Sequence, residues 1–171
     1  EVLDADREQE LEEPKLVQED KIDGLIILGS IQSKYLRMLK KKCKVPVVYM
    51  DFYDKQLQED CVISNSFYGA YYMTNYLFQM GHEKIGFVGT ALATESIMDR
   101  YLGYRKSLME HGVQERADWV IKDREDESSA YCFDRIPLPG EMPTAFVCNS
   151  DLTASRMVKS LLEAGYRVPE D

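Results

Sequence analysis

The chain has 171 residues, of which 44% are hydrophobic and 30% are charged, so its composition is that of a globular protein rather than a disordered one. Its 30 acidic residues outnumber its 21 basic residues, and a net charge of -9 has the wrong sign for a surface that neutralises a phosphate backbone. This segment is therefore not expected to bind nucleic acid by itself. The acidic clusters at 4–13 and 123–127 are interpreted as solvated faces.

The first twenty residues combine a helical pattern with a proline. A helix is indicated from Asp4 onward, but Pro14 lacks an N–H donor and its ring clashes with the preceding turn. We therefore predict a broken or kinked helix here. Val2-Leu3 is a candidate end of a further strand.

Short apolar runs rich in Val, Ile or Phe then alternate with longer segments of helical spacing. The predicted strands, each expected to be covered on both faces, are 24–28, 45–50, 84–88, 119–122 and 144–148. The predicted helices are 33–42, 66–80, 95–111 and 152–164, with one short helix in the irregular segment 123–142. Gly81, Gly112 and Gly165 follow three of these helices, as left-handed C-terminal caps do. The alternation predicts an α/β fold with mostly parallel strands.

The predicted helix 66–80 is apolar almost all round, so it has to be covered on more than one side. It carries Phe67, Tyr68, Tyr71, Tyr72, Tyr76, Leu77 and Phe78. Either the helix is enclosed within its own domain, or its aromatic flank meets a second subunit, where tyrosine is enriched. The sequence leaves both arrangements open.

The sequence lacks the residues that several activities common in this fold class require. Gly29 alone follows the first strand, and Gly89-Thr90-Ala91 follows the third, so the spaced glycines of a dinucleotide site are missing. The sequence shows no Ser, His and acid arrangement, and His82, at a helix-to-strand turn, is interpreted as a structural hydrogen-bonding residue. We expect no enzyme activity and no cofactor.

The cysteines and the apolar runs bear on metals, compartment and membranes. Four cysteines stand far apart without a Cys-x-x-Cys pair, and only two histidines could join them, so no metal site is expected. Reduced thiols fit a cytoplasmic protein whose core is large enough without disulfides. No apolar run approaches the ~20 residues of a membrane span, and no signal peptide is visible at the acidic N-terminus.

Polar residues recur just past the carboxyl ends of the predicted strands, the edge where ligands bind in an open α/β sheet. They are Ser30, Asp51, Ser96 and Asn149-Ser150-Asp151. An ionised Asp51 would accept hydrogen bonds from ligand hydroxyls, whereas the structural alternative is a simple turn residue. For Asp151 the favoured alternative is that it or Ser150 caps the next helix.

Arg100 lies one turn into the predicted helix 95–111, near the same edge. Its planar guanidinium can donate to two neighbouring oxygens at once. The structural alternative is a surface arginine, or one that pairs with Asp99. The residues alone leave its role undecided.

Six segments, taken in order, resemble successive landmarks of LacI/GalR family effector domains. They are KIDGLIILGS, VPVVYMD, GHEKIGFVG, SIMDRYLGYRKSL, PTAFVCNSD and AGYRVPED. The resemblance spans nearly the whole chain from Lys21 and depends on the order and spacing of these segments. It implies a bacterial DNA-binding regulator whose effector domain has two periplasmic-binding-protein-like lobes of doubly wound parallel sheet, with a sugar or similar small molecule between them.

The resemblance also implies boundaries and partners. The lobes would be 1–63 and 64–171, both incomplete, so the first lobe is expected to expose apolar faces and strand edges that further segments or a partner chain cover. A homodimer is expected, with DNA contacted only through a helix-turn-helix absent from this chain. The runner-up is a solute-binding protein of a sugar transport system, but the glycine-histidine step resembles the regulators more.

Site residues follow from the resemblance as well. Asp51 and Arg100 match frequent effector contacts of the family, and Ser96 matches a polar position one helical turn before Arg100.

The chain departs from the family pattern at two places. Asn65-Ser66 replaces the usual Asp-Asn pair, with Ser66 still expected to cap, and Asp123-Arg124-Glu125-Asp126 stands where many members place an aromatic against the effector.

Overall fold

The computed structural model describes residues 1–29, 31–54, 56–124 and 135–171. The chain divides into two compact units, Glu1–Ser64 and Asn65–Asp171, which we call unit 1 and unit 2. Each unit contains a three-stranded sheet in which all neighbouring strands are parallel. The predicted α/β class with parallel strands is therefore confirmed.

Unit 1 begins with two short helices on either side of Pro14, which confirms the predicted break. Its elements are α1 (Ala5–Gln9), α2 (Lys15–Gln18), β1 (Leu25–Leu28), α3 (Ser33–Lys42), β2 (Val47–Met50) and β3 (Asp60–Val62), with sheet order β1-β2-β3. Val2 and Leu3 lie outside any strand, so that interpretation is wrong. β3 was not predicted, because three residues of mixed polarity form no apolar run.

The sheet of unit 1 is covered on one face. Ile27 and Tyr49 are buried in a core with Tyr35, Leu36 and Leu39, among others. Because side chains alternate along a strand, the neighbours on the other face point away from this core. On that face Ile26 is 65% and Leu28 is 68% exposed, which corrects the expectation of coverage on both sides.

An open cavity of about 450 Å³ lies beside β1 in unit 1. Val2, Leu16, Ile26 and Leu28 contribute to its lining. β1 also has only one hydrogen-bonded strand neighbour within the described part of the chain. The predicted apolar faces and open strand edge of the first lobe are therefore present.

Unit 2 has helices on both faces of its sheet. Its elements are α4 (Ser66–Gln79), β4 (Ile85–Val88), α5 (Glu95–Glu110), a 3-10 turn (Ala117–Trp119), β5 (Val120–Ile121), β6 (Ala145–Cys148) and α6 (Asp151–Glu163), with sheet order β5-β4-β6. All four residues of the central strand β4 are buried. Ile85 and Phe87 pack with residues of α4 and α5, whereas Val88 packs with Met157 of α6.

The helix pair α4 and α5 packs so closely that one position has room only for glycine. A Cβ at Gly103 of α5 would lie 2.1 Å from the carbonyl oxygen of Phe67 in α4. On the same helix the Tyr104 hydroxyl donates to the Ile85 carbonyl oxygen at 2.8 Å, which anchors α5 to β4.

α4 is covered by its own domain on one side only. Ser66, Ala70 and Thr74 are buried, but Tyr68 and Tyr72 are more than half exposed. Enclosure of this helix within its own domain is therefore not observed among the described residues.

The helix ends follow the predictions with one exception. Gly81, Gly112 and Gly165 have φ of 92°, 68° and 91°, so the left-handed caps are confirmed. The Asn65 side chain, not that of Ser66, caps α4 by accepting from the Tyr68 N–H at 3.1 Å. The cap predicted for Ser66 is wrong, since this residue is already inside the helix.

Two remaining expectations concern helices. The short helix predicted within 123–142 falls largely on residues 125–134, outside those described, and 135–142 contain no helix. In the described ranges, no helix combines the length and the apolar character that crossing a membrane requires.

Candidate functional site

The carboxyl edge of the sheet in unit 1 holds Asp51 in a constrained conformation. Asp51 directly follows β2 with φ of 64°, a left-handed conformation that is uncommon outside glycine. Its N–H donates to the Val62 carbonyl oxygen at 2.8 Å, and the Ser64 hydroxyl donates to its Oδ1 at 2.9 Å. The Oδ2 atom accepts no hydrogen bond from the residues that the structure describes. One carboxylate oxygen is therefore held in place while the other stays available.

A second carboxylate of unit 1, Asp54, organises the loop after β2. It accepts hydrogen bonds from the Ser33 hydroxyl, the Gln56 N–H at 2.8 Å and the Leu57 N–H at 3.0 Å. The hydrogen bond from Ser33 is the main cause that holds the pKa of Asp54 below its ordinary value. Asp54 is thus occupied by the loop. The other candidate in this unit, Ser30, lies outside the described residues.

Three strand ends of unit 2 meet at one buried carboxylate, that of Asp123. Thr90 follows β4 closely, Asp123 follows β5 and Asn149 follows β6. The Asp123 carboxylate accepts from the Thr90 N–H at 2.8 Å, the Asn149 amide at 2.9 Å and the Thr153 hydroxyl at 2.8 Å. One side chain thereby ties three strands to the first turn of α6.

The electrostatics of Asp123 reflect this network. Burial is the largest single influence and raises its pKa, but the hydrogen bonds from Thr153, Thr90 and Asn149 together bring the pKa below its ordinary value. Asp123 is therefore an ionised, fully buried carboxylate, and the interpretation of its acidic cluster as a solvated face is wrong at this position. Its place just past a strand is the signal that would have identified it.

Asn149 completes the polar edge of unit 2. It is 3% exposed, and its Oδ1 atom has no hydrogen-bond partner among the described residues. A Cβ at Gly89 would lie 2.9 Å from atoms of the Asn149 side chain, so residue 89 has to be glycine for the amide to fit. The sequence places Asn149 among the polar residues past the strand ends, but of the segment Asn149-Ser150-Asp151 only Asp151 is a predicted ligand contact.

Ser96 and Arg100 lie one turn apart on the same side of α5. Thr94 caps the helix by accepting from the Ile97 N–H at 3.2 Å, and its hydroxyl lies 3.1 Å from that of Ser96. Arg100 is partly buried, and no acceptor in the described ranges forms a hydrogen bond or ion pair with it. The alternative in which Arg100 pairs with Asp99 is therefore not observed.

Capping of α6 is performed by Ser150. Its hydroxyl accepts from the Thr153 N–H at 3.2 Å, whereas Asp151 is the exposed first residue of the helix. The capping alternative is thus realised by Ser150. A ligand contact from Asp151 stays a prediction.

The remaining candidates have structural roles. His82 Nδ1 lies 2.9 Å from the Thr144 hydroxyl, which confirms its structural interpretation. Burial raises the pKa of the Cys148 thiol to about 12, so this cysteine is protonated at neutral pH. The described residues hold no group of three or more His, Cys, Asp or Glu side chains suited to a metal ion.

Each of the two successive units has a parallel sheet with polar residues at its carboxyl edge. This architecture is typical of periplasmic-binding-protein-like domains. The model of the periplasmic binding protein-like domain family matches residues 74–171. A LacI family transcriptional regulator from Mycobacterium smegmatis superposes with a TM-score of 0.73 at 24% identity, over 97% of this chain and 61% of that one. The transcription regulator CcpA of Lactococcus lactis gives a TM-score of 0.74 at 21% identity, over 98% of this chain and 61% of that one.

Curated relatives identify the family within this class to which the chain belongs. The HTH-type transcriptional repressor PurR of Mannheimia succiniciproducens is 30% identical over 159 residues, which are 92% of this chain and 48% of the repressor. The chain belongs to the LacI/GalR family and represents its effector-binding, periplasmic-binding-protein-like domain. It spans about half the length of the curated relatives it matches. Since these relatives are repressors, the transport-protein alternative is not favoured.

Proposed function

We propose that the chain is the effector-sensing part of a bacterial DNA-binding transcription regulator that works in the cytoplasm. Its effector is a sugar or a chemically similar small molecule. Arg100, Ser96 and Asp51 are the main residues proposed to contact it. Ser30 and Asp151 are secondary candidates.

The main support for this proposal is the environment of the Arg100 side chain. A partly buried guanidinium has lost some hydration, yet the described residues offer it no acceptor. Unpaired charges of this kind are costly unless a ligand supplies the missing oxygens. Ser96, one turn away, adds a hydroxyl that can donate or accept.

The chemistry of Asp51 and Arg100 favours a polyhydroxyl ligand. A carboxylate oxygen with no internal donor accepts hydrogen bonds from hydroxyl groups, and a guanidinium donates two parallel bonds to neighbouring oxygens. A sugar presents both kinds of group. This combination supports a sugar over an apolar effector.

Regulation requires that the effector binds two states of the protein with different affinity, since a ligand with equal affinity shifts no equilibrium. We propose that these states differ in DNA binding through a helix-turn-helix elsewhere in the regulator, which acts as a homodimer. The acidic charge of this chain is consistent with DNA contacts made by another segment.

Isothermal titration calorimetry of the intact regulator against a panel of sugars tests the proposal. Loss of the charged hydrogen bonds in Arg100→Ala is expected to weaken binding by about 10–100-fold. Arg105→Ala is the matched control, because Arg105 lies on the same helix but pairs with Glu115 at 3.4 Å. Unchanged affinity in Arg100→Ala would remove Arg100 from the site, and no binding of any sugar would refute the effector class.

A further inference from the structure

The short strand β3 of unit 1 contributes little to the core. All three of its residues are exposed, and Val62 is 60% exposed. Burial of apolar surface normally stabilises a strand in its sheet, but here it explains little of why the segment lies beside β2. The parallel pairing of the two strands places Met50 opposite Val62. Asp51, which follows β2, and Ser64, which follows β3, consequently lie at the same carboxyl edge of the sheet.

Two hydrogen bonds tie Asp51 to the segment after β3. The Asp51 N–H donates to the Val62 carbonyl oxygen at 2.8 Å, and the Ser64 hydroxyl donates to the Asp51 Oδ1 atom at 2.9 Å. The left-handed backbone of Asp51, with φ of 64°, has a conformational cost that glycine would avoid. A side chain that is retained at such a position points to a function of its carboxylate.

The Ser64 hydroxyl restricts the Asp51 side chain more than it stabilises the fold. Ser64 is exposed and Asp51 is partly buried, so their hydrogen bond replaces bonds to water and its net contribution to folding is small. A carboxylate without such an anchor rotates between staggered conformations, and a ligand has to order it at a cost in affinity. The bond to Oδ1 removes part of that cost in advance, and it leaves Oδ2 as an acceptor for a ligand hydroxyl.

We propose that Ser64 is a positioning residue for Asp51, which holds Oδ1 so that Oδ2 is presented to a sugar hydroxyl in one orientation. Because a fixed acceptor discriminates between hydroxyl orientations, Ser64 also contributes to selectivity between sugar epimers. The inference rests on the proposed function, in which Asp51 contacts the effector. Sequence patterns do not select Ser64, because it is uncharged and follows a strand that forms no apolar run.

A second serine and carboxylate pair of unit 1 provides the matched control. The hydroxyl of Ser33, which is also exposed, donates to the Asp54 carboxylate. Asp54 accepts two further hydrogen bonds, from the N–H groups of Gln56 and Leu57. Ser33→Ala and Ser64→Ala therefore remove the same group from the same kind of bond. They differ in that the carboxylate held by Ser64 keeps one oxygen without a donor in the described part of the chain.

Isothermal titration calorimetry of the intact regulator tests the role of Ser64, with D-glucose, D-galactose, D-ribose and D-arabinose as probes. For the sugar that the wild type binds most tightly, Ser64→Ala is expected to weaken binding about 3–10-fold and to narrow the affinity difference between that sugar and its epimer. Ser64→Thr keeps the hydroxyl and is expected to bind within about twofold of the wild type. Ser33→Ala is expected to bind like the wild type.

A double-mutant cycle distinguishes positioning from a general effect on the fold. If Ser64 acts through Asp51, Ser64→Ala should cause no further loss of affinity in a protein that already carries Asp51→Ala. Independent contributions would instead add. Thermal unfolding of each variant checks that the fold persists, and Ser64→Ala is expected to unfold at a temperature similar to that of Ser33→Ala.

Three outcomes would overturn this role of Ser64. Wild-type affinity in Ser64→Ala beside weakened binding in Asp51→Ala would leave the proposed function standing and remove Ser64 from the site. Additive losses in the cycle would show that Ser64 does not act through Asp51. Absence of binding of all four sugars to the wild type would refute the proposed sugar effector, and the positioning role with it.

Discussion

The two sheets of this protein are built from similar apolar strands but differ in how they are covered. In unit 2 the central strand β4 is buried along its whole length, because α4 and α5 cover one face and α6 covers the other. In unit 1 the strand β1 buries Ile27 and exposes Ile26, its direct neighbour. The composition of a strand thus predicts that it is a strand. The number of helical layers decides how much of it is buried.

The polar edges of the two sheets differ in how many hydrogen bonds hold their carboxylates in place. The edge of unit 2 is organised around the fully buried Asp123, whose hydrogen bonds hold Thr90, Asn149 and Thr153. In unit 1 Asp51 is held by a single side-chain hydrogen bond from Ser64, which is itself exposed. We infer that the polar edge of unit 2 is more preorganised than the polar edge of unit 1.

The largest loss of stability is expected in the sheet of unit 2, which is covered by helices on both faces. Phe87→Ala removes a fully buried ring between Tyr101 and Tyr104, and we expect a loss of about 3–5 kcal/mol in the free energy of unfolding. Urea unfolding followed by the fluorescence of Trp119, the single tryptophan, reports on unit 2 directly. Met109→Ala, at an exposed position, is expected to cost less than about 0.5 kcal/mol. A cost below about 1 kcal/mol for Phe87→Ala would contradict the two-layer core.

The buried carboxylate should give the next largest effect. Asp123→Asn keeps the size of the side chain but puts an NH₂ group where oxygen accepts hydrogen bonds, and we expect a loss of about 1–3 kcal/mol at neutral pH. Asp99→Asn removes the same charge from α5, where Asp99 accepts no hydrogen bond from the described residues, and serves as the control.

The pH dependence of the Asp123→Asn variant sharpens this test. Because the folded-state pKa of Asp123 is lowered, its carboxylate stabilises the fold above the unfolded-state pKa of about 3.9. That contribution is lost as the pH falls through the lower, folded-state pKa. The stabilities of wild type and variant should therefore converge in acid. A constant difference down to low pH would show that Asp123 is not ionised in the folded state.

The smallest effect is expected on the open face of unit 1. Ile26→Thr should change stability by less than about 0.5 kcal/mol, because this side chain is already largely in water. Its neighbour provides a matched comparison, since Ile27→Thr buries a hydroxyl in the core and should cost about 2 kcal/mol. Hydrogen exchange of the β1 and β2 amides, measured by mass spectrometry, reports on unit 1. Equal losses in both variants would mean that the outer face of β1 is covered in solution.

Local patterns predict most of the secondary structure, and the exceptions are of two kinds. β3 was missed because its three residues, Asp60–Val62, form a strand only through pairing with β2. The cap of α4 was assigned to Ser66 rather than Asn65, since both residues are suited to capping and the helix start differs by one position. Errors of this kind arise where a neighbour distant in sequence, or a single register step, selects between similar local options.

The candidate site was predictable in outline, because ligands bind at the carboxyl edges of parallel strands. That rule, together with the family resemblance, selected Asp51, Ser96 and Arg100 from the sequence. The same rule includes Asn149 among the polar residues past the strand ends, but Asp123 is missed because its acidic cluster is interpreted as a solvated face. Only packing shows that one member of such a cluster is buried while others remain in water.

The α/β alternation, the glycine helix ends and the family follow from the amino-acid sequence, since these depend on periodicity, backbone conformation and ordered motifs. Only the folded chain shows that the sheet of unit 1 is covered on one face, that Asp123 joins three strand ends, and that α4 leaves its tyrosines exposed. These features depend on which surfaces meet in space. Burial and hydrogen bonding between residues distant in the chain leave no local trace in composition.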